Sequence, residues 1–320
     1  MRFRPLLFGV MVVGTSGGFF ACGSRTALPG DFEAVTSSDD SGTDARKVRD
    51  TGPDVTPPPI DARPPVDASR LDCPDADATL IYLITDTNQL LSFYPTAAAF
   101  TLIGNIACPS TSTPFSMAVD RRGTAYVEFQ DGNLFKVSTA TAACVATAYA
   151  PNQLNFSSFG MGFSTNGAGP SETLFIAGGS LGANPGSNPN TDLGSIDVKS
   201  YTATDVAPFN PVITDAELTG TGDGRLFAFW SPDQASETNI SEVDKTTGKL
   251  IGTDPLPGST LGSAWAFGYW GGNFYTFTEP GGTSTPSVVT EYNPTTKVQT
   301  VIAGYPNAIV GAGVSTCAPQ

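Results

Sequence analysis

Short segments that alternate apolar and polar residues recur along the chain from about residue 80 to its end, and they predict half-buried β-strands. The alternation is clearest in five segments, Leu91–Phe93, Phe135–Val137, Ile196–Val198, Ile240–Val243 and Val289–Tyr292. An apolar strand with an aromatic residue precedes each of them, at Tyr82, Tyr126, Phe175, Phe227 and Phe274 or Tyr275. Helical periodicity is absent beyond the N-terminus. The pattern therefore predicts an all-β fold.

The spacing of these strands indicates an internal repeat. The aligned aromatic residues are 44, 49, 52 and 48 residues apart, which is close to the length of one four-stranded unit. The first copy lacks an opening strand, while the chain ends on Ala308–Thr316, which has the pattern of an opening strand. We predict a β-propeller of five four-stranded blades that is closed by the C-terminal strand, because closure removes exposed sheet edges. An open β-sandwich and two small β domains are the alternatives.

The N-terminus has the pattern of a secretory signal. Arg2 and Arg4 precede the apolar run Pro5–Val13, and small residues then lead to Cys22. This ending resembles the bacterial lipobox, with Phe19 where that pattern prefers leucine, and the resemblance implies a signal peptide over 1–21 and a lipid on Cys22. The residue after the cysteine is Gly23, which by resemblance to Gram-negative lipoproteins favours the outer membrane. The alternatives are an ordinary signal peptide cut nearby and an uncleaved anchor, although the apolar run is short for a spanning helix.

Residues 22–72 differ sharply in composition from the rest of the chain. Asp, Pro, Thr and Ser dominate there and large apolar residues are nearly absent, so the segment cannot bury enough surface to offset its ordering entropy. We predict a disordered, semi-extended linker that holds the folded domain, 73–320, away from the membrane. A docking strip for a partner is the alternative interpretation.

Four cysteines remain when Cys22 is acylated, and an even number in an exported domain indicates two disulfides. Cys73 precedes the second strand of the first blade and Cys317 follows the closing strand, so a bond between them would hold the ring shut. Cys108 and Cys144 lie in or near the outer strands of the first two blades and are predicted to pair. Closing the longer loop contributes roughly 4 to 5 kcal/mol in the entropy model. Free buried thiols are the alternative.

Charge and composition exclude several functions. The chain carries a formal charge of −14, and residues 73–320 hold 20 acidic and 8 basic side chains, so nucleic acid is a poor partner. The chain has no histidine, which excludes Ser-His-Asp and Cys-His catalysis and the usual zinc sites. Catalysis by paired carboxylates is the remaining route. The isolated candidates are Asp86, Asp120, Glu128, Asp223, Glu242 and Glu279. No spacing selects a pair among them, so we do not predict an enzyme.

No cofactor is predicted. Asp72, Asp75 and Asp77 offer oxygen ligands for calcium, but they lack the full spacing of a calcium loop. Calcium therefore stays an alternative. The run Asn184–Thr191 is rich in turn formers and predicts a long surface loop.

Aromatic residues concentrate in the fourth and fifth copies of the repeat. Trp265, Phe267 and Tyr269 share one strand face and are predicted to pack between blades. Trp230 and Trp270 stand at strand ends beside turns, where we expect them to be exposed. They are the candidate ligand-binding residues, suited to stacking on sugars or anchoring a protein partner. Core packing is the alternative for both.

Three stretches together suggest a family. They are Cys22 with the following Gly23–Thr26, the Asp- and Pro-rich segment, and the run from Cys108 through Pro114–Asp120 and Leu134–Val137 to Cys144. They resemble uncharacterised myxobacterial-type surface lipoproteins with propeller-like domains. The resemblance implies a fold and a cell-envelope location without a reaction.

We predict a lipid-anchored, extracytoplasmic binding or scaffolding module whose partner is an envelope protein or a polysaccharide. The alternatives are a carboxylate-dependent hydrolase or lyase acting on polysaccharide or lactone, which would bring two or more acids together at the central channel, and a purely structural envelope protein.

Overall fold

The computed structural model of the chain describes Cys73 and residues 80–167, 170–178, 191–233, 236–281 and 286–320. The predicted signal peptide, the lipidation site Cys22, the linker and the three aspartates considered for calcium lie outside the described residues. So does most of the predicted loop at 184–191. Within the described ranges, no helix has both the length and the apolar character needed to cross a bilayer.

The described residues form twenty β-strands, and the five alternating segments of the sequence fall in strands, except that Val198 lies one residue beyond the strand that holds Ile196. Two single 3-10 turns, Pro95–Ala97 and Gln153–Asn155, accompany them. The strands are β1 Ile81–Thr85, β2 Gln89–Tyr94, β3 Ala99–Asn105, β4 Pro114–Val119, β5 Thr124–Phe129, β6 Leu134–Ser138, β7 Cys144–Ala146, β8 Phe159–Thr165, β9 Glu172–Gly178, β10 Asp192–Asp197, β11 Thr202–Pro208, β12 Glu217–Gly220, β13 Leu226–Trp230, β14 Thr238–Val243, β15 Leu250–Leu256, β16 Trp265–Trp270, β17 Asn273–Thr278, β18 Ser287–Asn293, β19 Val298–Tyr305 and β20 Ile309–Val314.

These strands form five antiparallel four-stranded sheets, or blades. From the inside outwards, blade 1 is β20-β1-β2-β3, blade 2 is β4 to β7, blade 3 is β8 to β11, blade 4 is β12 to β15 and blade 5 is β16 to β19. Each innermost strand contacts the innermost strands of both neighbouring blades, including β16 with β20 and β20 with β4. The fold is therefore a five-bladed β-propeller, as the repeat predicts, and the sandwich and two-domain alternatives are wrong.

The C-terminal strand closes the ring. β20 pairs antiparallel with β1, with Ile81 opposite Val314 and Leu83 opposite Ala312. A disulfide joins Cys73 to Cys317, with a Cα–Cα distance of 5.8 Å. Both ends of the folded domain are thus tied to the same blade, which confirms the predicted closure.

The second predicted disulfide is also present. Cys108, which follows β3 of blade 1, is bonded to Cys144 in β7 of blade 2 with a Cα–Cα distance of 5.2 Å. It joins the outer strands of neighbouring blades, and the alternative of free thiols is wrong. Two disulfides indicate an oxidising, extracytoplasmic environment.

The hydrophobic core is divided among the five interfaces between blades. Each interface has its own cluster of buried side chains. Between blades 5 and 1, for example, the rings of Phe93 and Phe277 meet edge to face at 5.8 Å. Between blades 4 and 5, Trp265 and Phe267 are buried and Tyr269 packs against them, as predicted. Stability is therefore spread around the ring, and it depends on every blade being held between two neighbours.

Glycines let the inner strands approach one another closely at the centre. A Cβ atom added at Gly160 would lie 2.7 Å from Glu217 Cα, and one added at Gly162 would lie 2.8 Å from the carbonyl oxygen of Leu218. Both contacts are with the backbone of β12, which cannot move aside as a flexible side chain can. The small residues in the inner strands are therefore set by packing.

We expect Gly160→Ala to destabilise the protein by about 1 to 3 kcal/mol, because overpacking forces two inner strands apart. The matched control is Gly304→Ala in the outer strand β19, where an added Cβ meets only the carbonyl oxygen of Ser287 at 3.4 Å. That change is expected to stay within about 0.5 kcal/mol of wild type. Urea unfolding followed by circular dichroism measures both, and equal midpoints for the two variants would show that the centre is not tightly packed.

One backbone feature repeats in all five blades. The turn between the third and fourth strands always holds one residue with a positive φ, and these are Ala98, Ala142, Tyr201, Gly248 and Lys297. Only blade 4 uses glycine, and an added Cβ at Gly248 would lie 3.0 Å from the carbonyl carbon of Pro208 in the neighbouring blade. The positive φ is thus part of the blade architecture and marks no single turn as special.

Candidate functional site

Each blade has two ends that differ in charge. The turn end carries the turns between first and second and between third and fourth strands, and the connection end carries the other loops, including those that lead to the next blade. Seven of the eight basic side chains of the domain lie in or next to turns of the turn end, and Lys136 lies within β6. The basic residues of the turn end are Arg121, Arg122, Lys199, Arg225, Lys245, Lys249 and Lys297. Among the described residues, the connection end therefore carries acids without bases, whereas acids and bases mix at the turn end.

Two glutamates meet at the connection end of the central axis. Glu217 begins β12, and its Oε2 accepts a hydrogen bond from Ser116 Oγ of blade 2 at 2.9 Å. Glu128 lies in β5 directly opposite Ser116, and its Oε2 accepts the Phe159 N–H at 3.1 Å. Glu128 is fully buried and Glu217 is 4% exposed. Glu128 is among the carboxylate candidates from the sequence and Glu217 is not, although an acid that opens an apolar inner strand is a usable signal.

Burial raises the pKa of both carboxyl groups well above the usual range. For Glu128 the loss of solvation is the largest cause, the Phe159 N–H acts against it, and the charge of Glu217 adds to it. For Glu217 burial again dominates over the hydrogen bonds from Ser116 and Met161. Glu128 Oε1 has no hydrogen-bond partner among the described residues. Both carboxyl groups therefore hold their protons more tightly in the folded protein than in the unfolded chain.

A small depression lies beside Glu217. Its volume is about 70 Å³, and Gln130, Ser263 and Trp265 help to line it. Ser263 Oγ donates to Glu279 Oε2 at 2.7 Å, and Glu279 is itself buried. The depression is too small for a sugar ring, and Glu128 is not among its lining residues.

A larger cleft lies between blades 4 and 5 and has a volume of about 270 Å³. We call it the interblade cleft. Blade 4 contributes Arg225 and Phe227 from β13 and its preceding turn, and Ile251–Asp254 from its outer strand β15. Blade 5 contributes Tyr269 from β16, Phe274 from β17 and the turn that carries Lys297. The cleft therefore depends on the packing of two blades.

The inner wall of the interblade cleft is aromatic. Phe227 and Phe274 are buried, with ring centroids 4.8 Å apart, whereas Tyr269 is half-buried and stacks on Phe227 at 5.8 Å with an interplanar angle of 19°. Burial raises the pKa of Tyr269, and the charge of Arg225 partly offsets this effect. The Tyr269 hydroxyl is thus protonated at neutral pH and offers both a donor and an acceptor.

Two ion pairs flank this aromatic wall. Arg225 Nη2 lies 2.7 Å from Glu242 Oε2, and its guanidinium lies 4.6 Å above the ring centroid of Phe227. Lys297 Nζ of blade 5 donates to both carboxylate oxygens of Asp254 in blade 4, at 2.7 and 2.6 Å. The four groups carry no net charge. The interblade cleft therefore offers hydrogen-bond donors and acceptors together with an apolar surface.

The two tryptophans named from the sequence do not form one site. Trp270 is only 8% exposed and belongs to the cluster between blades 5 and 1, where Tyr94 meets it edge to face at 6.2 Å. Its expected exposure is wrong, because the C-terminal segment packs there and Pro319 accepts the Gly271 N–H at 2.8 Å. Trp230 is half-buried on the face of blade 4 that packs against blade 3, and its Nε1 donates to Ser241 Oγ at 3.0 Å.

The remaining acids considered from the sequence are dispersed. Asp120 Oδ1 accepts the N–H groups of Arg122 and Thr124, so it shapes its own turn. Asp223 accepts the Thr221 hydroxyl in the corresponding turn of blade 4. Asp86 is exposed at the connection end, and burial, followed by the charge of Glu279, raises its pKa. Of the six candidates, only Glu242 reaches the interblade cleft.

Comparison with known proteins adds no template for this site. Models of known protein families give no match to the chain, and neither do the curated proteins. In the part of the chain that the structure describes, no three His, Cys, Asp or Glu side chains are grouped as a metal ion would require. The geometry of the interblade cleft is therefore the basis for its role.

Proposed function

We propose that this protein is a lipid-anchored, extracytoplasmic binding module of the cell envelope, and that the interblade cleft is its ligand site. The observation that carries the proposal is the cleft itself, an aromatic wall between two ion pairs on a closed ring. Concave sites with an apolar wall and a few placed polar groups are the usual form of a small-molecule site. A rigid ring cross-linked by two disulfides keeps such a site preformed.

The location rests on the N-terminal sequence and on the disulfides. A signal with a lipobox-like ending at Cys22 supports acylation after export, and acyl chains on one cysteine bind a bilayer firmly because each buried methylene contributes about 0.8 kcal/mol. The disulfides Cys73–Cys317 and Cys108–Cys144 support the same compartment, since both need oxidising conditions to persist. The outer membrane and the cell surface are the proposed destinations.

The anchor is tested by growing cells with an alkyne-labelled palmitate and measuring label on the purified protein. We expect label on the wild type and none on Cys22→Ala, because thioether formation needs the cysteine sulfur. Ser24→Ala, two residues away, is the control and should label as the wild type does. Label that persists in Cys22→Ala, or a wild-type N-terminus found elsewhere by mass spectrometry, would contradict the proposal.

The alternatives have less support in the geometry. Glu128 and Glu217 do come together at the central axis, as a carboxylate-dependent hydrolase or lyase acting on polysaccharide or lactone would need. Both carboxyl groups would have to reach a substrate, yet Glu128 is fully buried and Glu217 borders only the small depression. A purely structural envelope protein would need no concave polar site. The interblade cleft therefore favours binding over both.

A further inference from the structure

We infer that the interblade cleft binds a neutral saccharide, one or two pyranose rings long, whose apolar face stacks on Tyr269. The inference rests on the proposed function, because it names the ligand of the same site. It draws on three properties of the cleft: its size, its single accessible aromatic ring and the balance of its charges.

Size limits the ligand to a small one. The volume of about 270 Å³ falls just below the range of pockets for drug-sized molecules, roughly 300 to 1,000 Å³. The opening between β15 and the turn that holds Lys297 is bridged by the ion pair of Lys297 with Asp254. A folded protein segment would need a broader surface than this, whereas one or two sugar rings fit.

The aromatic wall offers one ring to a ligand. The Arg225 guanidinium lies over the ring of Phe227, Tyr269 stacks on the same residue, and Phe274 is buried. Tyr269 alone is half-buried, and Phe227 and Phe274 hold its ring in place. A rigid, partly exposed aromatic ring binds a flat apolar surface at little entropic cost. The axial C–H groups of a pyranose present such a surface.

The charges of the cleft favour a neutral, hydroxyl-rich ligand. The pairs Arg225–Glu242 and Lys297–Asp254 line the same cleft as Tyr269 and offer donors and acceptors there, and sugar hydroxyls both donate and accept. Partly exposed ion pairs contribute only about 0 to 1 kcal/mol, so their side chains can turn towards hydroxyl groups at low cost. An acidic sugar would have to displace Glu242 or Asp254 from its cation. A basic ligand would likewise have to displace Arg225 or Lys297 from its carboxylate.

The test uses the full mature chain in detergent and a panel of neutral oligosaccharides of two to six units, built from glucose, mannose, galactose or N-acetylglucosamine. Oligouronates and short cell-wall peptides complete the panel. Thermal unfolding of the protein with each compound identifies those that raise its melting temperature. Isothermal titration calorimetry then measures the affinity of each of these compounds. We expect saturable binding of at least one neutral series, and weaker binding of the matching oligouronate.

Variants locate the site. Tyr269→Ala is expected to weaken binding of the selected neutral oligosaccharide at least about tenfold, because it removes the stacking surface. Tyr269→Phe keeps the ring and should stay within about threefold of wild type, which separates stacking from misfolding. Tyr305→Ala is the matched control, since Tyr305 is half-buried on the outer strand of blade 5 and packs against Phe100 outside the cleft.

Failure of this inference is distinguishable from failure of the proposed function. If only peptides or oligouronates bind, and Tyr269→Ala abolishes that binding, the neutral-saccharide inference is overturned while the cleft remains the site of a binding module. If a neutral oligosaccharide binds equally well to Tyr269→Ala, the inference is also overturned. If no compound in the panel binds to the wild type or to Tyr269→Ala, the neutral-saccharide inference and the proposed function both fail.

Discussion

Replacing both Cys73 and Cys317 by serine is expected to lower the free energy of unfolding by about 5 kcal/mol, because the disulfide closes a loop of 244 residues. The bond also fastens β20 to the blade that it completes, so its loss frees both ends of the ring. Replacing both cysteines leaves no unpaired thiol to form a wrong bond. Urea unfolding in the absence of reductant measures the change.

The matched control is the pair Cys108 and Cys144, which closes a loop of only 36 residues. Its replacement by serine should cost about 4 kcal/mol in the entropy model. It leaves β20 held to blade 1, so cooperative unfolding is expected to survive. A smaller loss for the Cys73–Cys317 pair than for this control would contradict the role of the longer loop in closing the ring.

The repeat allows the fold to be predicted because its signal is local. Each blade repeats the same order of strands, and burial on one strand face leaves alternation that can be read directly, as in Leu91–Phe93. The closing strand could be predicted because Ala308–Thr316 has the pattern of a first strand and no second, third or fourth strand of the repeat follows it. The register of the repeat also restricts which cysteines can lie close to one another, and for this reason both disulfide pairs could be predicted.

The interblade cleft could not be predicted, because its side chains come from separate hairpins. Arg225 and Asp254 lie in different turns and strands of blade 4, and Lys297 belongs to blade 5. Only the packing of the two blades places Lys297 against Asp254. The strand pattern does predict Tyr269 between the blades, but its partial exposure depends on which neighbouring side chains leave part of the ring uncovered. The error at Trp270 has the same origin, since the C-terminal segment that covers it is distant in sequence.

The second large effect expected is a loss of stability as pH rises above about 5. An acid whose pKa is raised by folding holds its proton more tightly in the folded state, so stability falls as pH rises from the unfolded pKa through the folded one. Burial raises the pKa of Glu172 to about 7 against a usual value of 4.5, despite hydrogen bonds from the Arg121 N–H and the Thr316 hydroxyl. For Glu172, the loss therefore falls between about pH 4.5 and about pH 7.

Glu128 and Glu217 act on stability in the same direction as Glu172. Their pKa values are raised well above the usual range, and ionising either one places a charge beside the other in the packed centre. The effective cost of a buried charge is on the order of several kcal/mol per ion. Asp131, Asp197 and Asp244 act in the opposite sense, since their lowered pKa values stabilise the fold at pH above the usual value of 3.8. These three aspartates contribute little to the change of stability with pH above about 5.

Urea unfolding at about pH 5.5 and about pH 8.5 measures the effect, and both values stay above the sequence pI of about 4.2, where association is promoted. We expect the wild type to be less stable at the higher pH by on the order of several kcal/mol. Glu128→Gln and Glu217→Gln keep the shape of the side chains and remove the charge, so each should flatten this dependence, and the double variant should flatten it further. Glu237→Gln, at an exposed position, is the control. An unchanged pH dependence in the double variant would show that the two buried carboxyl groups do not titrate in this range.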